Sequence, residues 1–318
     1  MILNDVKRVA VIGAGTMGAG IALSFARGRF DVTLYDVNSR QIDLGLQRID
    51  KSLSLFTAEG LIEAEQAGLA KRRIVPTTDF VEALRGAQFA IEVVPEDLGL
   101  KQALWLEMEK AVGAEVVLTS NTSGLSITAI ASVCKIQERV AGMHWFNPPE
   151  LVPLVEVIKG QKTAQATADL VHDLVKRLGK TPIMVKKDIP GFVGNRLQYA
   201  LLREALHIVE TGAASPQDVD TAVKAGIGFR WSWLGPLETA DLGGLDIFHA
   251  VSSYLFKDLA DDQKPQAFFT ELIKSGRLGA KNGSGFYTYA PQDKDEILSR
   301  RDRYFARQQQ LIAENSKA

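Results

Sequence analysis

Residues 8–18, RVAVIGAGTMG, set a β-branched run directly against Gly13, Gly15 and Gly18, and a helix-length pattern opens behind them. Few folds accept that junction. The first glycine permits a tight turn, the second leaves open space above the backbone, and the third lets a helix pack close to the strand. The helix that follows, with Thr16 and Met17 at its start, offers free N–H groups to an anion. A glycine string alone is weak evidence, because glycines are common in turns. Here strand, glycines and helix are in register, and the next β-branched run, VTLYD, ends at Asp36, 18 residues beyond Gly18. A carboxylate there accepts hydrogen bonds from ribose hydroxyls and repels a 2′-phosphate, which favours NAD over NADP. Arg40, close behind, keeps that preference from being absolute. The bland alternative is a domain of this kind that has lost its ligand.

The first half of the chain repeats the strand–helix alternation. Runs at 8–12, 32–36, 89–94, 116–120 and 139–145 read as strands, mostly continuous and apolar, as in strands covered on both faces. Helix-length patterns lie at 17–28, 38–56, 79–85, 98–112 and 126–132. The expected fold is a Rossmann-type, doubly wound, mainly parallel α/β sheet. Residues 38–73 hold about two helices, read as a hairpin projecting from the sheet. Strand-like runs at 154–160 and 182–187 flank a helix at 164–178; after KKDIPGF the β-branched runs stop. Helices are expected at 193–212, 216–225, 236–260, 264–275 and 296–314. The expected domains are therefore 1–188, binding the nucleotide, and an all-α domain, 189–318, closing the cleft. The strongly charged last helix reads as a solvated surface helix with a frayed end.

Composition narrows the partners. With 37 Lys+Arg against 38 Asp+Glu, a nucleic-acid or membrane-surface role is not expected. Cys134 is the single cysteine, so no intrachain disulfide framework or cysteine zinc site is expected, and no His/Asp/Glu spacing suggests a metal. No apolar run reaches the roughly 18 residues of a membrane span, and no signal-peptide pattern opens the chain, so a cytoplasmic location is expected.

Oxidation of a secondary alcohol needs a base, a partner that holds the base, and a donor to the oxygen. His144 ends the run GMHW, and strand ends of an open α/β sheet face the ligand crevice. Imidazole suits reversible proton transfer near neutral pH. Glu156 stands among apolar neighbours in LVEVI, where a lone carboxylate is costly unless paired. Pairing with His144 would orient the imidazole. A core histidine and an outward-facing edge-strand glutamate are the competing readings. Ser120-Asn121-Thr122-Ser123-Gly124 ends another strand; its hydroxyls either cap the next helix or bind a substrate oxygen. Asn195, in GFVGNRL, either closes over the site or bridges the domain seam.

Together GAGTMGAGIA, VPED, SNTSG, GMHWFNPP, LVEVI, DIPGFVGNR and KNGSGFYTY resemble the 3-hydroxyacyl-CoA dehydrogenases over roughly residues 5–290. The resemblance implies that His144 is the catalytic base with Glu156 as partner, that Ser123 binds the substrate oxygen, and that Asn195 completes the set. It places Asp36 at the adenosine ribose. Glu96, Lys101 and Asn147, with Asn121 beside them, fall at the nicotinamide end of an NAD site. It also implies a homodimer.

Two departures bear on substrate. Members that handle CoA often carry lysines on the helical hairpin, but residues 53–66, LSLFTAEGLIEAEQ, hold no Lys or Arg; basic residues come later, at Lys71, Arg72 and Arg73. GIGFRWSWLGPLE carries Arg230 and Trp231, which resemble relatives that oxidise free hydroxy acids, such as the L-gulonate and L-carnitine dehydrogenases. Arg230 either clamps a carboxylate or makes a structural salt bridge; an indole face can hold a quaternary ammonium. The expected activity is NAD-dependent oxidation of a hydroxyl β to a thioester or carboxyl, with short-chain 3-hydroxyacyl-CoA first. A free small hydroxy acid comes second, and a catalytically silent NAD-binding protein is the other class. Asp36→Ala should narrow the gap between NAD and NADP in kcat/KM; an unchanged preference would assign the discrimination to another residue.

Overall fold

The computed structural model describes residues 2–290 and 292–315. Eight strands form one sheet in the order β3-β2-β1-β4-β5-β6-β7-β8. They are β1 (Arg8–Ile12), β2 (Asp31–Tyr35), β3 (Ile74–Thr77), β4 (Phe89–Glu92), β5 (Val117–Ser120), β6 (Val140–Trp145), β7 (Leu154–Ile158) and β8 (Thr181–Val185). All neighbours pair in parallel except β6 and β7. Helices α1 (Thr16–Arg27), α2 (Ser39–Ala58), α3 (Ala64–Arg72), α4 (Phe80–Leu84), α5 (Leu98–Ala111), α6 (Ile127–Ala131) and α7 (Gln165–Arg177) connect them. Two buried clusters cover the sheet, one including Phe25, Phe30 and Trp145, the other Trp105, Met108 and Ile127. The expected doubly wound sheet is therefore present, with antiparallel pairing entering only at β7.

β3 was not anticipated. Its sequence IVPT contains Pro76 and follows a basic triplet, and it is short. It lies at the sheet edge, where proline's missing N–H removes no ladder bond on the open side. The expected helical pair, α2 and α3, packs on α1, burying Ile42, Ile49, Leu53 and Phe56 of α2.

The chain divides into two compact units, but not at 188/189. The first holds residues up to Asn195 together with the chain from Leu298; the second is Arg196–Ile297. α8 (Gly194–Glu210) leads from the first into the second, which contains α9 (Pro216–Ala222), α10 (Gly228–Trp231), α11 (Pro236–Gly243), α12 (Leu245–Leu255) and α13 (Ala267–Lys274). The single helix expected over 236–260 is broken at Gly244, whose φ of 94° belongs to the left-handed half of backbone space.

The last helix, α14 (Lys294–Asn315), corrects a second expectation. It is not a freely solvated rod. Ala306 is fully buried and Phe305 packs against the core of the first unit. Arg307 pairs with Glu59 at 3.0 Å, Gln310 donates to the Glu59 carbonyl at 2.6 Å, and Gln309 donates to the Leu151 carbonyl. Charge along the helix hid one narrow face on which a small alanine permits close approach. Among the described residues no helix is long and apolar enough to cross a membrane.

Candidate active site

The glycine turn has the geometry its sequence required. Gly13 has φ 120°, and a Cβ on Gly18 would stand 1.7 Å from the Gly13 carbonyl oxygen. A Cβ on Gly15 would meet nothing within 4 Å, so the space above it is open. Gly15 is also the N-cap of α1 and has no side chain to occupy the helix end, leaving Thr16 and Met17 at an uncapped N-terminus. Asp36 reaches across from the end of β2: its Oδ2 accepts from Ala14 N–H and its Oδ1 from Asn38 N–H, both at 3.0 Å. Open space, uncapped amides and an acid at the second strand end fit a dinucleotide.

Antiparallel pairing of β6 and β7 places His144 opposite Glu156 in register. His144 Nδ1 lies 2.7 Å from Glu156 Oε2, and both side chains are buried. The other carboxylate oxygen accepts from the N–H groups of Val193 and Gly194, each at 2.9 Å. The arrangement assigns the Nδ1 proton to the bond with the carboxylate and leaves Nε2 to exchange protons. Burial pushes the Glu156 carboxyl up, but the bonds from His144, Gly194 and Val193 outweigh it and hold it below the usual carboxylate range. Its contribution to stability is complete above that range and is lost as pH falls through the lower folded value. The rings of Phe146 and Phe192 flank the imidazole at 4.6 and 5.6 Å. Gly194 must be glycine for this: a Cβ there would lie 2.4 Å from the Phe146 ring.

Asn195 and Ser123 are brought together, with Asn195 Nδ2 donating to the Ser123 carbonyl at 2.8 Å. Ser123 does not cap α6; Ser126 does, accepting from Ala129 N–H, while Thr122 Oγ1 accepts from Leu125 N–H. Glu96 ties down the same turn. One of its oxygens accepts from Thr122 Oγ1 at 2.6 Å and from the amides of Ser123 and Gly124. Burial raises the Glu96 carboxyl, but these bonds and nearby Lys101 bring it below the ordinary range.

Two residues expected at the cofactor also hold the strand ends together. Asn121 accepts from Trp145 N–H at 2.8 Å, clamping the end of β5 to the end of β6. Lys101 is buried, its Nζ bonded to both oxygens of Glu92 at 2.7 and 3.0 Å and to the Val94 carbonyl at 3.2 Å. Glu92, which also accepts from Ser120 Oγ at 2.8 Å, was missed in the sequence. A carboxylate in an apolar strand with a lysine nine residues on was the available signal. Asn147 follows β6 and joins Pro148 through a cis peptide. Arg230 and Trp231 lie exposed on α10, in the other unit.

The glycine turn, the acid after β2 and the His–Glu pair at the sheet's strand ends define a nicotinamide-nucleotide dehydrogenase. The 3-hydroxyacyl-CoA dehydrogenase NAD-binding domain matches residues 8–189, and the C-terminal domain of the same enzymes matches residues 191–289. The chain belongs to the 3-hydroxyacyl-CoA dehydrogenase family, NAD-dependent enzymes that act on a hydroxyl group. It is 38% identical over 298 residues to the 5-formyl-3-hydroxy-2-methylpyridine 4-carboxylate 5-dehydrogenase of Mesorhizobium japonicum, covering 94% of this chain and 96% of that enzyme. A crystal structure of a dehydrogenase of that name, described as an NAD+ dependent dismutase, superposes with a TM-score of 0.91 at 36% identity, covering 97% and 99% of the two chains. The (S)-3-hydroxybutyryl-CoA dehydrogenase of Ralstonia eutropha superposes at 0.74 with 35% identity, covering 90% and 99%.

Replacing His144 with Ala should cut kcat by roughly 10²–10⁴ while leaving the NAD dissociation constant near its original value. Glu156→Gln should lower kcat and move the acid limb of the pH–rate profile to lower pH, because the protonated imidazole loses its anionic partner. Near-normal turnover by His144→Ala would make this histidine a core residue.

Proposed function

We propose that this enzyme oxidises a small free carboxylic acid bearing a hydroxyl or hydrated aldehyde, rather than an acyl-CoA. His144 Nε2 takes the hydroxyl proton, and Glu156, held by two backbone amides, stabilises the imidazolium that results. Ser123 binds the substrate oxygen, with Asn195 fixing the turn on which it stands. NAD, when bound, supplies the hydride acceptor; the residues offered to it are Gly13, Gly15, Thr16, Met17, Gly18, Asp36 and Asn147, while Glu96 shapes the 122–124 turn. Lys101 and Asn121 support this site from behind.

One observation carries the choice of substrate class: the end of the helical pair, where the resemblance puts CoA contacts, is taken up by α14 through Glu59. Two of the three basic residues nearby are ion-paired, Lys71 with Asp50 at 2.6 Å and Arg73 with Asp31 at 2.8 Å, which leaves Arg72 exposed. Full-length likeness to a pyridine carboxylate dehydrogenase supports the same reading. The second reading, a short-chain 3-hydroxyacyl-CoA, rests on the acid–base pair being that of the wider family. We also propose self-association through the helical unit, where Leu237 and Leu242 of α11 and Leu245 and Tyr254 of α12 are exposed.

The test compares kcat/KM for acetoacetyl-CoA with NADH against a panel of free hydroxy acids and aldehyde carboxylates with NAD. Turnover of a free acid at least tenfold above acetoacetyl-CoA is expected. Robust acetoacetyl-CoA reduction with no free acid oxidised would reverse the assignment.

A further inference from the structure

A pocket of about 360 Å³ lies within the first unit, lined by α1, α2, the segment after β6 and α14. That volume is at the lower end of the roughly 300–1,000 Å³ typical of small-molecule sites. Thr16, which opens α1, and Asn147, three residues past His144, both contribute to its wall. The chamber therefore borders the glycine turn and the segment that follows the strand carrying the base. On the opposite side, α14 lines it with Ser299, Arg301 and Arg303.

Its charge is unbalanced. Arg48, Lys51, Arg301 and Arg303 stand against two carboxylates, Glu150 and Asp302, a surplus of two positive charges. The carboxylates are already engaged: Asp302 takes both Nε and Nη2 of Arg301, at 2.8 and 2.7 Å, and Glu150 accepts from Ser52 Oγ at 2.8 Å. Arg48 differs, because its Nη1 is buried with no hydrogen-bond partner. A buried guanidinium N–H without an acceptor is costly, and an oxyanion entering the chamber removes that cost. The wall facing α1 has little give: a Cβ on Gly20 would lie 2.2 Å from a Glu150 oxygen and 2.6 Å from Pro149.

We infer that this chamber is a subsite for the carboxylate of a small organic acid, paired with Arg48 and bounded in length by α14. The inference rests on the free-acid reading and deepens it, since it names the group that holds the acid. It also sets Arg48, in the same unit as His144, against Arg230 as the clamp. A carboxylate and an inorganic phosphate share the oxyanion chemistry; a volume of about 360 Å³, larger than a phosphate fills, favours the organic acid.

The test measures binding of pyridine-4-carboxylate, benzoate, benzamide and inorganic phosphate by calorimetry to the full chain. Wild type should bind the two carboxylates, with benzamide at least tenfold weaker. Arg48→Met should weaken carboxylate binding about 10–150-fold, the equivalent of one charge-assisted pair. Arg48→Lys should restore part of it, and Ser299→Trp, which fills the chamber without changing charge, should abolish it. The NAD dissociation constant and melting temperature of each variant report whether the fold survives. Carboxylate binding indifferent to both Arg48→Met and Ser299→Trp, lost only on Arg230→Met, or replaced by phosphate binding alone, would overturn the inference. Turnover of a free acid with a KM unmoved by Arg48→Met sinks the subsite and leaves the proposed activity standing. Arg48-dependent carboxylate binding without free-acid turnover does the reverse.

Discussion

The buried carboxylate of Glu156 is the interaction around which the rest of this site is arranged. An isolated carboxylate in a strand whose neighbours are Val155 and Val157 would be expelled or neutralised. Here it receives three hydrogen bonds, one from His144 and two from the backbone at the start of α8. Those bonds join β6, β7 and the segment 192–194, which come from separate parts of the chain. The cost of burying the charge is offset only when all three are in place, so the sheet and the turn into α8 are fixed together. The backbone adapts accordingly: Phe192 takes a positive φ of 52°, and Gly194 leaves room for the Phe146 ring.

A second buried carboxylate supports the neighbouring strand ends in the same manner. Glu92 is enclosed by Lys101, Ser120 and the 94 amide, and Glu96 then gathers the 122–124 turn on which Ser123 stands. Removing one partner of such a buried pair costs roughly 3–5 kcal/mol, since the other charge is left uncompensated. The His144–Glu156 pair is thus aimed by β6 and β7, and the 122–124 turn by β4, β5 and α5. Two rigid supports meet at adjacent strand ends, which is what a site needing sub-ångström placement requires.

Much of this was legible from residue type and position. The glycine turn could be read because only one backbone path serves strand, tight turn and helix in eleven residues. Glu156 could be paired with His144 because a charge inside an apolar run demands a partner. Glu92 obeyed the same rule, yet FAIEVV was read for its apolar residues alone. The pairing of Glu92 with Lys101, a residue expected at the cofactor, was therefore not read. β3 was hidden by Pro76, which a sheet edge tolerates. The docking of α14 was hidden because nine of its 22 residues are charged, and the contacts that hold it are made by two glutamines, an arginine, an alanine and Phe305. Such contacts leave no periodic signal.

Glu156 fixes the imidazole with its proton on Nδ1 and leaves Nε2 without one. Nitrogen-15 NMR of histidine-labelled protein tests it directly, with the His144 signals assigned by their loss in His144→Ala. The neutral imidazole should show a protonated Nδ1 and an unprotonated Nε2. A neutral tautomer with the proton on Nε2, or the same tautomer mixture in Glu156→Gln as in wild type, would contradict it.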